Sequence, residues 1–210
     1  MRTMIIAFAL AAFALPLAAQ EGADEFPAGW ELRLDRAGDP SEVKFTTMPP
    51  GWHITTGPAG ILYNPATTAS GEYRVESVIH LFDPGQRQRE AFGIFFGGTD
   101  LKADNHAYMY FLIRNDGSYL IKHRAGADTH VISEWTQHES IVRHAGGDDT
   151  VKNTLAVEVG ADAVDFYING QKVTELPKGE MNVDGVVGLR VNHGLNLHVS
   201  ELNVSSSTDQ

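Results

Sequence analysis

The chain has 210 residues, 27 acidic against 16 basic, giving a formal charge of −11, with no cysteine, 21 glycines and 42% apolar residues. That apolar share fits a globular protein and excludes disordered and collagen-like chains, and the length suits one domain with a sizeable core. The missing cysteines exclude disulfide scaffolds, thiolate metal sites and cysteine nucleophiles, and the acidic balance argues against a nucleic-acid partner, which Lys and Arg would have to neutralise.

Residues Met1 to Gln20 carry Arg2, then an uncharged apolar run from Met4 to Leu15, then Pro16 and small residues before the first acid, Glu21. A charged start, a short apolar centre and a small-residue end are the three parts of a secretory signal peptide, with cleavage expected near Ala19 or Gln20. The run falls short of the roughly 20 apolar residues that span a bilayer; an anchor helix that stays attached is the alternative. The expectation is a secreted or periplasmic protein with no membrane span, whose charge goes from −11 to −12 when Arg2 is removed.

Beyond the signal the patterning is of period two, and no segment keeps helical spacing for ten or more residues. Tyr73, Val75, Ser77, Ile79 and Leu81 alternate with Arg74, Glu76, Val78, His80 and Phe82. The same holds for Met109, Phe111 and Ile113 against Tyr108, Tyr110, Leu112 and Arg114. Leu155–Val157–Val159, Val164–Phe166–Ile168, Val187–Leu189–Val191 and Leu195–Leu197–Val199 repeat it. Such alternation sends one set inward and the other outward, as in antiparallel sheets with one packed face.

Turn signals separate these runs. Asn115-Asp116-Gly117 and Asn169-Gly170 predict tight hairpins. Gly97-Gly98, Gly146-Gly147-Asp148-Asp149, Pro49-Pro50-Gly51 and Asp83-Pro84-Gly85 predict loops or turns. About a dozen strands in one domain imply two packed sheets or a closed barrel, and no repeat of fixed period supports a propeller. The organisation read from the chain is therefore a signal peptide over 1–20, a single β-sandwich domain over 21–204 and a polar, frayed tail over 205–210.

The order of landmarks carries a resemblance. Gly93-Ile94-Phe95-Phe96 precedes Tyr108-Met109-Tyr110-Phe111 and Asp116-Gly117-Ser118-Tyr119; Asn153-Thr154-Leu155-Ala156-Val157, Val164-Asp165-Phe166-Tyr167-Ile168-Asn169-Gly170 and Gly185-Val186-Val187-Gly188-Leu189 follow. Over residues 70–204 this series resembles the concanavalin A-like lectin/glucanase superfamily, in its secreted bacterial branch near laminin-G-like and 3-keto-disaccharide hydrolase (DUF1080-type) domains. The resemblance implies an all-β, antiparallel jelly-roll sandwich with one bent sheet, whose concave face often holds a carbohydrate. The glucanases of that superfamily carry Glu-x-Asp-x-x-Glu on one strand, a cheap way to hold the two carboxyls about 5 Å apart that retaining hydrolysis needs. No such run occurs here: Glu134 and Glu139 are broken by Trp135, and Glu175 and Glu180 flank Pro177.

Assigning faces by alternation leaves a polar and aromatic set pointing away from the core: Arg74, Glu76 and His80; Tyr108, Tyr110 and Arg114; Lys122 and Arg124; Arg190 and Asn192. Gathered on one bent sheet they would line a ligand groove, with Tyr faces stacking on a sugar ring, Arg and Asn donating to hydroxyls or a carboxylate, and Trp135 as a further platform. The plainer reading is a solvated sheet face with cross-strand pairs such as Arg74–Glu76. The nine histidines match no metal spacing, so no metal ligand is assigned. A structural calcium held by Asp100, Asp104 and Asn105, or by Asp148 and Asp149, competes with ordinary turn chemistry at those positions, and no other cofactor is expected. Ser133 and Ser140 lack a Gly-x-Ser-x-Gly elbow.

Three functions follow. The first is a lectin-like module binding a glycan or sugar-derived molecule without turnover. The second is a sugar-active hydrolase or lyase of the 3-keto-disaccharide type, with Glu76 or His80 as general base and Arg190 or Arg124 steadying negative charge. The third is an envelope assembly protein pairing through sheet edges.

Overall fold

A computed structural model describes residues 26–206; the signal-peptide reading, and the tail beyond 206, lie outside the described residues. Fourteen strands and one short 3-10 turn at Pro40–Glu42 make up the described chain. In chain order they are β1 (Glu31–Leu34), β2 (Lys44–Thr47), β3 (Trp52–Thr55), β4 (Gly60–Ala69), β5 (Tyr73–Leu81), β6 (Ala91–Thr99) and β7 (Ala107–Arg114), then β8 (Ser118–Ala125), β9 (Asp128–Gln137), β10 (Val151–Val159), β11 (Ala163–Ile168), β12 (Gln171–Pro177), β13 (Gly185–Val191) and β14 (Asn196–Ser206). They form two seven-stranded sheets, β1-β4-β13-β6-β7-β8-β9 and β12-β11-β10-β5-β14-β3-β2, in which every pairing is antiparallel. The fold is the expected all-β jelly-roll sandwich. Sequence neighbours pair as hairpins, while β4–β13 and β5–β14 close the sheets over long chain distances.

Alternation builds the layer between the sheets. Phe92, Ile94, Phe96, Met109, Phe111, Ile113, Val187 and Leu189 from the first sheet meet Tyr73, Val75, Ile79, Leu155, Val157, Phe166 and Leu197 from the second in one buried cluster. Burying a side chain of that size contributes about 1.5–3 kcal/mol, which lets packing hold a sandwich without disulfides.

Turn chemistry agrees at both predicted hairpins. Asn169 and Gly170 take left-handed φ values of 51° and 80°, as a two-residue β11–β12 turn requires, and Gly117 at φ 88° closes β7–β8. Gly97 and Gly98 differ from expectation. They lie inside β6, where the register slips between Phe96 and Thr99, so they mark a bulge rather than a loop; Gly97 at φ 64° supplies the kink. At the other end β14 runs through Ser205 and Ser206, which pair with Arg74 and Tyr73, so the ladder extends two residues past the expected boundary at 204.

The longest connection, 138–150, is fastened by buried amides. Asn115 accepts from the His144 N–H at 2.6 Å and donates to its carbonyl at 3.0 Å. Asn153 accepts from the Val142 N–H at 2.9 Å and donates to its carbonyl at 2.8 Å. Each amide imitates a sheet partner for a segment with no strand neighbour.

Candidate functional site

The outer face of the first sheet carries a second apolar cluster, separate from the inter-sheet layer: Ile61, Tyr63, Phe95, Tyr108, Tyr110, Leu112 and Leu120. The 100–106 loop is tied down beside it. Arg33 Nη1 donates to the Leu101 carbonyl at 2.9 Å, and Glu31 accepts from Lys102 at 2.7 Å and from the Tyr63 hydroxyl at 3.1 Å. Burial, helped by Glu31, pushes the Tyr63 phenol up to about 12. Gly188 makes room for the Phe95 ring, since a Cβ there would stand 2.5 Å from Phe95 Cε1.

Next to this cluster lies a cleft of about 700 Å³. Its walls are the loop after β1 (Asp35, Arg36, Ala37), the loop before β4 (Pro58, Ala59), Ala127 of the β8–β9 turn and His193 after β13; Tyr110, Lys122, Arg124, Thr129 and Arg190 project from the strands. Register explains the strand contribution. Tyr110 faces Lys122 and Tyr108 faces Arg124 across β7–β8, and Arg124 faces Thr129 across β8–β9, so one row of alternate residues serves one side.

Arg190 is the fixed point. Its guanidinium bonds both oxygens of Asp35, at 2.7 and 2.6 Å, and donates to the Tyr108 hydroxyl at 3.2 Å. It lies over the Tyr110 ring, 4.6 Å from the centroid, a cation–π contact. Burial raises the Asp35 carboxyl, but the hydrogen bonds and charge of Arg190, with Arg124 and His193 behind them, outweigh it and hold the group below the ordinary carboxylate range. Burial keeps the Tyr108 and Tyr110 phenols protonated, against the pull of Arg190.

The expected groove is therefore corrected in membership. Tyr108, Tyr110, Arg124 and Arg190 share the outer face of the first sheet. Arg74, Glu76 and His80 lie on β5 in the second sheet and point out of the opposite side of the sandwich. There Arg74 bonds Glu76 at 2.6 Å and lies over Tyr167, the cross-strand and same-face pairing of a solvated sheet. Glu76 and His80 thus cannot act on one substrate with Arg190 or Arg124. Tyr108 and Tyr110 are 2% and 4% exposed, so their rings are packing groups rather than open stacking platforms, and of the two Tyr110 is the one that reaches the cleft wall. Arg190, 7% exposed, is a positioning group: its two terminal nitrogens are engaged by Asp35 and Tyr108, while its buried Nε has no hydrogen-bond partner among the described residues. Asn192 stands at the end of β13, where its N–H donates to the Ala91 carbonyl and its own carbonyl accepts from Thr56; it does not line the cleft. Trp135 has one ring face covered by the Arg114 guanidinium at 3.9 Å.

Sequence reasoning missed Asp35, Arg36, Thr129 and His193. Lys122 was legible, since it alternates with Arg124. Asp35 carried no signal, because its partner is 155 positions away. Among the described residues no group of three or more His, Asp or Glu is placed to hold a metal ion. The Asp100 carboxylate accepts from Asn105 at 2.9 Å, and no helix among the described residues is long and apolar enough to cross a membrane.

No family model matches the sequence, and no curated protein matches it either. Solved structures do match in shape. The carbohydrate binding module CBM66 from Bacillus subtilis superposes with a TM-score of 0.63 at 15% identity, covering 85% of this chain and 96% of that one. A Bacillus subtilis protein of unknown function with a galectin-like fold gives 0.61 at 10% identity, covering 84% and 89%. A GH16 protein of Bacteroides ovatus, from a mixed linkage glucan locus and in complex with its G4G4G3G product, gives 0.57 at 8% identity, covering 84% and 94%. What they share with this chain is the fold, a two-sheet antiparallel β-sandwich.

Proposed function

We propose that the protein is a carbohydrate-binding β-sandwich that holds a saccharide, without turnover, in the cleft bounded by Asp35, Tyr110, Arg124 and His193. The observation that carries this is the cleft itself: a sheet-borne depression of about 700 Å³, large enough for a few sugar rings, lined by hydrogen-bond donors and held rigid by the buried Arg190–Asp35 pair. Fold neighbours that include a carbohydrate-binding module and a glucan-bound enzyme support the reading. Hydrolysis by paired carboxyls is disfavoured, because Asp35 is the one carboxylate among the lining residues and it is engaged by Arg190. With the charged start and short apolar run of residues 2–15 read as a signal peptide, the proposal includes export of the protein to where polysaccharides are met.

The test is calorimetric titration of oligosaccharides identified on a glycan array, against wild type and Ala127→Trp, which fills the cleft from its rim. Saturable binding in wild type, its loss in Ala127→Trp with an unchanged melt, and no product release fit the proposal. Equal binding by the filled variant, or turnover, overturns it.

A further inference from the structure

Four of the side chains lining the cleft are permanent cations, Arg36, Lys122, Arg124 and Arg190, and one is a carboxylate, Asp35, in a chain whose formal charge is −11. Asp35 is committed to Arg190 through both its oxygens. Arg36, Lys122 and Arg124 are left without an ion-pair partner among the described residues. Elsewhere carboxylates are used freely to neutralise cations, as in Arg114–Asp116 at 2.8 Å and in Lys172, which lies 2.7 Å from Asp165 and 2.9 Å from Glu175. Arg33, Arg87, Arg89, Arg143, Lys152 and Lys178 also make no ion pair among the described residues, but Arg36, Lys122 and Arg124 are three such cations lining one cleft.

Its geometry is suited to an anion. Lys122 and Arg124 are alternate residues of β8, hence on one face and about 7 Å apart, a spacing at which like charges repel and a bound anion relieves both. Arg124 donates from Nε to the Gly126 carbonyl at 2.6 Å. That bond orients the guanidinium and leaves its two terminal nitrogens unengaged among the described residues, the planar pair that takes a carboxylate in two parallel hydrogen bonds. Lys122 supplies a mobile point charge beside it, and Arg36 stands on the opposite rim. The neighbouring Tyr110 and Thr129 offer hydroxyls, and Ala37, Ala59 and Ala127 leave room for a ring.

We infer that the cleft takes an anionic saccharide, one whose carboxylate or sulfate is held between Arg124 and Lys122 while Tyr110 and Thr129 meet ring hydroxyls. The inference rests on the carbohydrate-binding reading above and names its ligand class. Arg190 acts only by holding Tyr110 and Asp35 in place, and the counter-charge for the other three cations comes from the ligand.

The test uses the full chain and a panel of oligouronides, the same oligomers with their carboxyls reduced to alcohols, and sulfated oligosaccharides, titrated at low and high salt. Oligouronides bind, their affinity falls with salt, and the reduced oligomers bind about tenfold more weakly or not at all, as expected for a lost charge-assisted hydrogen bond. Arg124→Ala and Lys122→Ala, both at partly exposed positions and checked for an unchanged melt, each lose about tenfold toward the acidic oligomers, a larger loss than either shows toward the reduced ones. Binding confined to the sulfated panel supports the same anion site with sulfate as its group. Equal affinity for acidic and reduced oligomers, or unaltered affinity in both variants, overturns the inference and leaves the carbohydrate-binding reading standing. No binding by any panel overturns both.

Discussion

Arg190 and Asp35, 155 positions apart in the chain, meet in a two-pronged ion pair of 2.7 and 2.6 Å that joins the loop after β1 to the centre of the first sheet. Desolvating the Arg190 charge is costly, and besides Asp35 it is offset by the hydrogen bond to Tyr108 and the Tyr110 ring face. Asp35→Asn leaves a buried cation uncompensated and is expected to lower stability by about 3–5 kcal/mol. The double change Asp35→Leu with Arg190→Met recovers most of that loss. Urea unfolding of the three variants decides it, and an Asp35→Asn protein as stable as wild type would remove the pair from its structural role.

Histidines on the second sheet make stability pH-dependent. His198 stands directly opposite both His53 and His80. Burial, with His198 alongside, holds His53 below the ordinary imidazole range; the same two causes and Lys152 hold His80 there. An unfolded imidazole titrates near 6.5, so the unfolded chain binds these protons first as pH falls. The contribution is complete above that value and is lost as pH drops through the depressed folded-state values. Melting temperature is expected to fall between about pH 7 and pH 5, with a shallower fall in His80→Gln. A wild type that melts higher at the acid end contradicts this.

Asn115 is the clamp on the 138–150 connection, with its amide also donating to Gln88. Asn115→Ala leaves the His144 N–H without its acceptor in a buried setting, at a cost of about 1–3 kcal/mol. The effect should be local. Hydrogen exchange at residues 142–146 speeds up, while the β5 and β10 amides keep their protection.

Gly188 is the position where the outer apolar cluster depends on a missing side chain. Gly188→Ala drives a methyl toward Phe95 and the Leu62 carbonyl, each 2.5 Å from the Cβ site, and overpacking of this kind costs about 1–3 kcal/mol. Because Phe95 is paired with Tyr110 across β6–β7, saccharide affinity is expected to fall together with the melting temperature. A melt equal to that of wild type would show that the ring moves aside without strain.

Glu76 provides the contrast between the two faces. It is bonded to Arg74 on the opposite side of the sandwich from the cleft. Glu76→Gln is therefore expected to leave saccharide binding unaltered in calorimetry, whereas Arg124→Ala weakens it.

The period-two pattern made the fold legible to a fine level. Met109, Phe111, Val187 and Leu189 were placed inward and Tyr108, Tyr110 and Arg190 outward, as they stand. The Asn169-Gly170 and Asn115-Asp116-Gly117 turns were equally readable, since their backbone demands are local. Gly97-Gly98 was misread because a bulge and a loop ask for the same residue, and only the partners on β7 and β13 distinguish them.

By itself the sequence determined the sandwich class, the inward set of each strand, the hairpins and the side of β8 on which Lys122 and Arg124 stand, all consequences of short-range sterics and alternation. Only the tertiary structure decided which outward faces belong together. Alternation separates in from out but is silent on sheet membership, so Arg74, Glu76 and His80 looked like companions of Tyr110 until the β5–β14 and β4–β13 pairings put them on opposite sides. The same long-range pairing brought Asp35 to Arg190 and so turned an outward arginine into the buried support of a cleft. Local chemistry writes itself into neighbouring residues, whereas a contact between distant segments depends on how the whole chain closes.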